Sequence, residues 1–293
     1  MPIFITPSDM RDWSFNRRAE GKTIGCVPTM GALHEGHLSL IRSSADECDE
    51  TIVTVFVNPL QFGPTEDFGK YPRTLEQDLE LSKKSGATLS YCPSTEAMYH
   101  KDHSVYVVED SLSGVLCGKS RPNHFRGVLT VVAKLFNACM PHKAYFGKKD
   151  YQQLRLIERM VRDLDFPVEI IGCEIVREPD GLAMSSRNKY LNESERADAV
   201  SLSSGLNAAI GAFKKGERNP REIENEVLKI LKPIKTARVD YVECRDAESL
   251  EEIERIDRAA VVAEAVFIGD TRLIDNIILN PDEVSELCFV SSC

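Results

Sequence analysis

A chain of 293 residues with 42% apolar and 28% charged residues has an ordinary globular composition, with length for one large domain or two smaller ones. A formal charge of −10 argues against nucleic acid or an anionic membrane as the main partner, since both require a positive footprint. Nine cysteines scattered without a CxxC pair read as reduced thiols, and no window approaches the roughly 20 apolar residues of a membrane span. With no signal-peptide pattern after Met1, a cytoplasmic protein is expected.

Short β-rich runs alternate with helical patterns through residue 176. Residues 23–29 read as a strand. Residues 37–48 read as a helix, with Leu38, Ile41, Ala45 and Cys48 on its buried face. The β-branched run 51–57 is a strand covered on both faces, and 74–85 is a helix with Thr74 and Gln77 as a capping box. Strands follow at 87–92 and 104–108, a helix at 128–139 and a strand at 144–146. A helix over 150–164 is capped by Asp150 and turns Leu154, Ile157, Met160, Val161 and Leu164 inward; the last strand is 168–176. This alternation predicts an α/β fold, a Rossmann-like parallel sheet with flanking helices. Its ligands would bind beyond the carboxyl ends of the strands. Beyond a turn at 177–181, helices over 193–213 and 221–231 and strands at 237–244 and 259–268 predict a smaller α+β domain. The expected domains are therefore 1–176 and 177–293.

The chemistry-bearing residues fall in the loops after the strands. Met30, Gly31, Ala32, Leu33, His34, Glu35, Gly36 and His37 lie between a strand and a helix. There, glycines admit phosphates to the backbone, the helix N-terminus attracts anions, and two imidazoles donate to them. An isolated HxxH pair otherwise reads as surface histidines, and the spacing is not that of a zinc motif. Gly147, Lys148, Lys149 and Asp150 open the helix after 144–146. Lysines there oppose the macrodipole, which suggests a compensating anion, although a solvated charge run is the plainer alternative. Met184, Ser185, Ser186 and Arg187 supply hydroxyls and a guanidinium, a second phosphate-binding set or simply a polar loop. Gln61 and Gln153 are neutral amides that suit a substrate carrying hydroxyls and a carboxylate, and His124 and Arg126 offer a further cation. His100 and His103 read as loop histidines.

The motifs PTMGALHEGH, FVNPLQF, YPRT, HFRGV, FGKKDYQQL and MSSRN, in this order, make the chain resemble the pantoate–β-alanine ligases. These belong to the HIGH/KMSKS nucleotidylyl-transferases. The resemblance runs from Pro28 to about Leu279. It implies a ligase that condenses pantoate with β-alanine through pantoyl adenylate, releasing AMP and pyrophosphate, with ATP as co-substrate and Mg²⁺. It also implies a small C-terminal lid domain carrying the MSSRN loop, and a homodimer joined through N-terminal domains. By the same resemblance, residues 30–37, Gly147, Lys148, Lys149, Asp150, Val176, Met184, Ser185, Ser186 and Arg187 bind ATP. His37, His34, Lys149 and Arg187 act on the phosphates, Gln61 and Gln153 hold pantoate with Gln61 near the β-alanine site too, and Asp78 helps to hold Mg²⁺. One departure stands out: Lys148 occupies a position where the family usually has Glu. A different nucleotidylyl-transferase would want an extra cationic site for an acceptor phosphate, and a nucleotide sensor would keep the clamp without turnover.

Overall fold

The computed structural model describes residues 1–64 and 66–283, so the cysteine-bearing tail beyond them lies outside the described residues. In chain order the elements are β1 (Ile3–Phe4), α1 (Pro7–Ala19), β2 (Ile24–Thr29), α2 (Glu35–Glu47), β3 (Glu50–Val55), α3 (Leu75–Lys84), β4 (Leu89–Tyr91), α4 (Thr95–Met98), α5 (Leu116–Ser120), α6 (His124–Cys139), β5 (Lys143–Gly147), α7 (Tyr151–Asp163) and β6 (Glu169–Cys173), then α8 (Glu193–Ala199), α9 (Ser201–Lys214), α10 (Pro220–Leu231), β7 (Ala237–Asp246), β8 (Ala260–Ile268) and β9 (Thr271–Leu279). They form two compact units, Met1–Gly114 with Arg121–Val176, and Val115–Ser120 with the chain from Arg177 onward. The segment carrying α5 thus belongs with the second unit, although chain order put it in the first.

The first unit is a six-stranded sheet in the order β1-β4-β3-β2-β5-β6, parallel throughout. Strand β2 (IGCVPT) is almost wholly buried, as the centre of a doubly covered parallel sheet requires. A core of Val27, Leu33, Leu40, Ile41, Val53, Ala87 and Tyr145 ties α2 to the sheet. Strand β1 and α1 lie outside the elements read from pattern. Helix α1 is mostly polar and buries only Met10 and Ser14, yet its start is encoded: Thr6 caps the Asp9 N–H and Pro7 opens the first turn.

Several local expectations change. Residues 104–108 form no strand: Val107 N–H donates to Thr130 Oγ1 at 3.0 Å, and Val105 and Val108 face solvent. Propensity without a neighbouring edge does not make a ladder. Thr74 occupies the N-cap of α3 but donates to the Asp78 carboxylate, so the capping box is not made. Asp150 stands at the N-cap of α7 without a side-chain cap bond, and Leu164 is exposed as the helix ends. Strand β6 stops at Cys173, three residues earlier than expected.

The second unit is an antiparallel sheet, β7-β8-β9, with α9 and α10 packed on each other and on the strands around Leu202, Leu206, Phe213, Ile223, Val227, Val262 and Val266. The single helix expected over 193–213 is divided at Val200. Ser201 Oγ donates to Asp198 O at 2.6 Å, and the Ser203 and Ser204 hydroxyls both donate to Val200 O at 3.0 Å, which also keeps the Ser204 N–H at 3.1 Å, so side chains crowd the carbonyls at the break. Strand β9 escapes pattern reading because its core face runs Thr271, Leu273, Asp275, Ile277, Leu279. An acid interrupts the apolar alternation there, and it is buried because Arg177 binds it through two hydrogen bonds of 2.6 and 3.0 Å.

Candidate active site

The sheet order sets the site. Chain order moves from β2 to β3 on one side, while β5 pairs with β2 on the other. The β2/β5 boundary is therefore a topological switch point, where loops leaving the two carboxyl ends diverge and leave room for a ligand. Residues 30–37 follow β2, and Lys148 and Lys149 follow β5.

The turn after β2 is strained and firmly held. Gly31 has φ 81°, and Ala32, almost fully buried, has φ 51°, a left-handed conformation that disfavours a residue bearing a Cβ. Asp78, buried on α3, accepts the Ala32 N–H at 2.9 Å and the Leu33 N–H at 2.8 Å, one on each carboxylate oxygen. Thr29 Oγ1 accepts the Gly31 N–H at 3.1 Å and donates to Thr54 O at 2.6 Å. Four contacts thus fix the backbone just ahead of α2.

His34 takes the N-cap position of α2 in extended conformation, and its N–H donates to His37 Nδ1 at 3.3 Å. The two rings lie 4.1 Å apart between centroids. Because Nδ1 accepts, the neutral His37 ring carries its hydrogen on Nε2. Burial pushes its pKa down to about 3, and the neighbouring His34 and Lys149 charges add to that. Without a bound anion, His37 is a neutral donor at pH 7. Glu35 is exposed and pairs with Arg42.

On the β5 side, Lys148 pairs with Glu174, so the extra cation at the departing position has a local counter-charge. Lys149 is largely covered and lies 4.0 Å from Asp150. Of the adjacent glutamines, Gln152 is buried with Nε2 donating to Leu112 O at 2.7 Å, whereas Gln153 is part exposed. Gln61 lies on a short 3₁₀ turn, its Nε2 3.1 Å from Met30 Sδ and its Oε1 accepting from Asn58 Nδ2 at 3.1 Å.

His124 is no cation: burial and Arg121 beside it lower its pKa to about 4, while Arg126 is stacked over the Tyr106 ring at 3.6 Å. Each Asp78 oxygen accepts a backbone N–H group, which ties the carboxylate to the turn after β2. Among the described residues no cluster of three or more His, Cys, Asp or Glu gathers to hold a metal. Residues that pattern reading passed over also build the edge, chiefly Asn58, which accepts from Tyr99 OH at 2.8 Å, and the ion pair Glu66–Arg121. Asn58 before a proline carried an N-cap signal, but neither Glu66 nor Arg121 carried one.

In the second unit, Ser185 Oγ accepts the Arg187 N–H at 3.2 Å and Ser186 is buried. Asn188 Nδ2 donates to Glu178 Oε1 at 2.8 Å and to Ala183 O at 3.2 Å, and Arg196 pairs with Glu178 and Asp180. The loop is thereby stapled to the turn that precedes it. Val176, partly buried, is the last residue of the first unit. No helix among the described residues is long and apolar enough to cross a membrane.

A Rossmann-like parallel sheet with its histidine and lysine loops at the switch point places the chain in the α/β class whose ligands bind at the strands' carboxyl ends. The family model for pantoate-beta-alanine ligase matches residues 2–278, and the chain belongs to that family. It is 53% identical to the pantothenate synthetase of Thermotoga petrophila over 95% of this chain and 100% of that one. With the Geobacter sulfurreducens pantothenate synthetase it shares 49% identity over 97% and 100%. Among solved structures, pantothenate synthetase from Thermus thermophilus superposes with a TM-score of 0.89 at 40% identity, covering 94% of this chain and 99% of that one. The Francisella tularensis pantoate-beta-alanine ligase, solved with beta-gamma ATP and beta-alanine, gives 0.79 at 33%, covering 95% and 97%.

Proposed function

We propose that this chain condenses pantoate with β-alanine in two ATP-dependent half-reactions. In the first, a pantoate carboxylate oxygen attacks the α-phosphorus of ATP; the bond to the bridging oxygen breaks, giving pantoyl adenylate and pyrophosphate. In the second, the β-alanine amine attacks the acyl carbon, the bond to AMP breaks, and the nitrogen loses a proton as pantothenate forms. The carboxylate needs this activation because it does not react with an amine at neutral pH. The observation that carries the reading is the family match over residues 2–278, which spans both the switch-point loops and the 184–188 motif.

The residue roles follow from chemistry. Negative charge grows on the bridging and pyrophosphate oxygens, where His37 Nε2–H, His34, Lys149 and Arg187 would donate, each such preorganised contact contributing about 3 kcal/mol. The amides of residues 30–37, with Gly147, Lys148, Asp150, Val176, Met184, Ser185 and Ser186, complete the proposed ATP contacts, and the second unit is the proposed lid domain. Gln61 and Gln153 are the proposed pantoate holders. Magnesium enters with the ATP phosphates as part of the substrate, and no step is assigned to Asp78 as a ligand. A cytoplasmic homodimer is part of the same reading, and sedimentation velocity tests the dimer.

The deciding assay is AMP release from MgATP and pantoate with and without β-alanine, alongside pantoate-dependent ATP–pyrophosphate exchange. Exchange that needs pantoate, and AMP turnover that needs both substrates, supports the ligase. ATP binding with neither activity overturns it.

A further inference from the structure

The HFRG motif at the start of α6 is not among the proposed phosphate contacts, yet three features of that turn converge on the Gln61 loop. First, His124 Nδ1 lies 2.8 Å from Gln61 O, and His124 Nε2 lies 3.0 Å from Arg121 Nη1. A carbonyl can only accept and a guanidinium can only donate, so Nδ1 must carry the hydrogen and Nε2 must be bare. The ring is therefore locked in one neutral tautomer. Arg121 is in turn clamped by Glu66, through Nε to Oε1 and Nη2 to Oε2, both at 2.7 Å. Such a bidentate pair fixes the plane of the guanidinium. Second, Asn58 Nδ2 donates to Gly127 O at 3.1 Å, tying the same loop to the next residues of the helix. Third, a Cβ at Gly127 would stand 2.3 Å from Leu60 O and 2.6 Å from Gln61 N, so only glycine lets α6 approach this closely.

We propose that the first turn of α6 is a template for the substrate-binding amide, with His124 the positioning residue that sets Gln61 through its Nδ1–H, held in tautomer by the Glu66–Arg121 pair. The inference rests on the proposed role of Gln61 in holding pantoate and deepens it: recognition of the hydroxy-acid depends on a relay that never touches it. Loss of the Nδ1–H bond leaves Gln61 O with only the longer Arg121 Nη2 bond of 3.4 Å, so the Gln61 backbone can shift, and a displaced amide loses its bonds to the substrate's hydroxyl and carboxylate. Apart from the contact between its amide and Met30 Sδ, Gln61 stands on a different loop from the proposed ATP groups, so the effect falls chiefly on pantoate.

The test uses the full chain and three variants, His124→Ala, His124→Asn and His124→Gln, with pantoate and ATP varied separately. An Asn amide nitrogen sits where Nδ1 was and can donate to Gln61 O; a Gln amide sits near Nε2 and cannot. The expected result is a pantoate KM raised on the order of tenfold in His124→Ala and His124→Gln, the scale of one well-placed hydrogen bond. His124→Asn should recover most of that loss, with kcat and the ATP KM within about threefold of wild type in all three. An unchanged pantoate KM in His124→Ala, a parallel rise in the ATP KM, or no difference between Asn and Gln overturns the proposal. Histidine ¹⁵N NMR of the wild-type protein reads the tautomer without any turnover: an Nδ1–H ring supports the tether, and an Nε2–H or doubly protonated ring at pH 7 overturns it. If wild type shows no pantoate-dependent exchange, the ligase reading fails, while the NMR arm still decides whether His124 holds Gln61.

Discussion

Asp78 in the first unit and Glu264 in the second are both buried carboxylates, and they are treated in opposite ways. Asp78 lies under the loop after β2 with both oxygens accepting N–H groups from a strained turn. Glu264 lies on the core face of β8, fully buried, opposite Asp275 across the β8–β9 ladder, and neither of its oxygens meets a hydrogen-bond partner among the described residues. Burial first, and the adjacent Asp275 second, push its pKa well above the usual carboxylate range, with Arg177 pulling the other way. A satisfied buried acid organises backbone; an unsatisfied one lowers stability. The switch-point edge thus gains rigidity from its buried charge, while the second unit owes its cohesion to the apolar layer under α9 and α10.

Removing Asp78 should have the largest consequence. Asp78→Ala leaves the Ala32 and Leu33 N–H groups buried without an acceptor, at about 1–3 kcal/mol each. Urea unfolding should register that loss, and pantoate-dependent exchange should fall at least as far as in any single phosphate-contact variant, because the whole 30–37 segment is released. Near-normal activity in this variant would dissolve the contrast between the two acids.

His37→Ala should follow, with AMP release lowered roughly 100-fold to 1,000-fold and the urea midpoint nearly unchanged. The ring also makes a pH prediction. Its pKa is lowered to about 3 in the folded state from 6.5 when unfolded, so below pH 6.5 the unfolded chain binds a proton that the native state refuses. Stability should therefore decline as pH falls from about 6.5 toward 3, and His37→Asn should flatten that part of the profile. A phosphate ligand reverses the preference, so calorimetry in buffers of different ionisation heat should detect proton uptake on ATP binding near pH 6.

Glu264→Leu is expected to raise stability by about 1–2 kcal/mol, the usual cost of an unsatisfied buried polar group, without loss of turnover. The sign with pH is opposite to that of His37. The native state holds this proton more tightly than the unfolded chain, so the group's contribution is intact below its unfolded pKa and is lost as pH rises toward the folded value. A wild-type minus Glu264→Gln stability difference that falls as pH rises above about 4.3 would verify it; a flat difference would sink it.

The smallest effect belongs to Lys148→Glu, which restores the residue usual in the family and loses the exposed pair with Glu174. Surface pairs of this kind contribute about 0–1 kcal/mol, and kcat/KM should stay within about threefold. A larger change would mean that the added charge reaches the field around Lys149.

The alternation of strands and helices, the parallel sheet, and the placement of the HxGH and GKKD segments after its strands were legible in the chain, because periodicity and turn residues are local signals. Nothing in the chain marked the amide of Gln152 as tied to Leu112 O. Roles that depend on a distant partner emerged only on folding: Asp78 as the anchor of a turn 45 and 46 positions away, a neutral His124 in place of a cation, an unpaired 104–108, and β9 with Asp275 on its buried face. In each case the residue type was compatible with several roles. Which role it plays is set by the donor, acceptor or sheet edge that folding brings against it, and those partners leave no mark at short range in the chain.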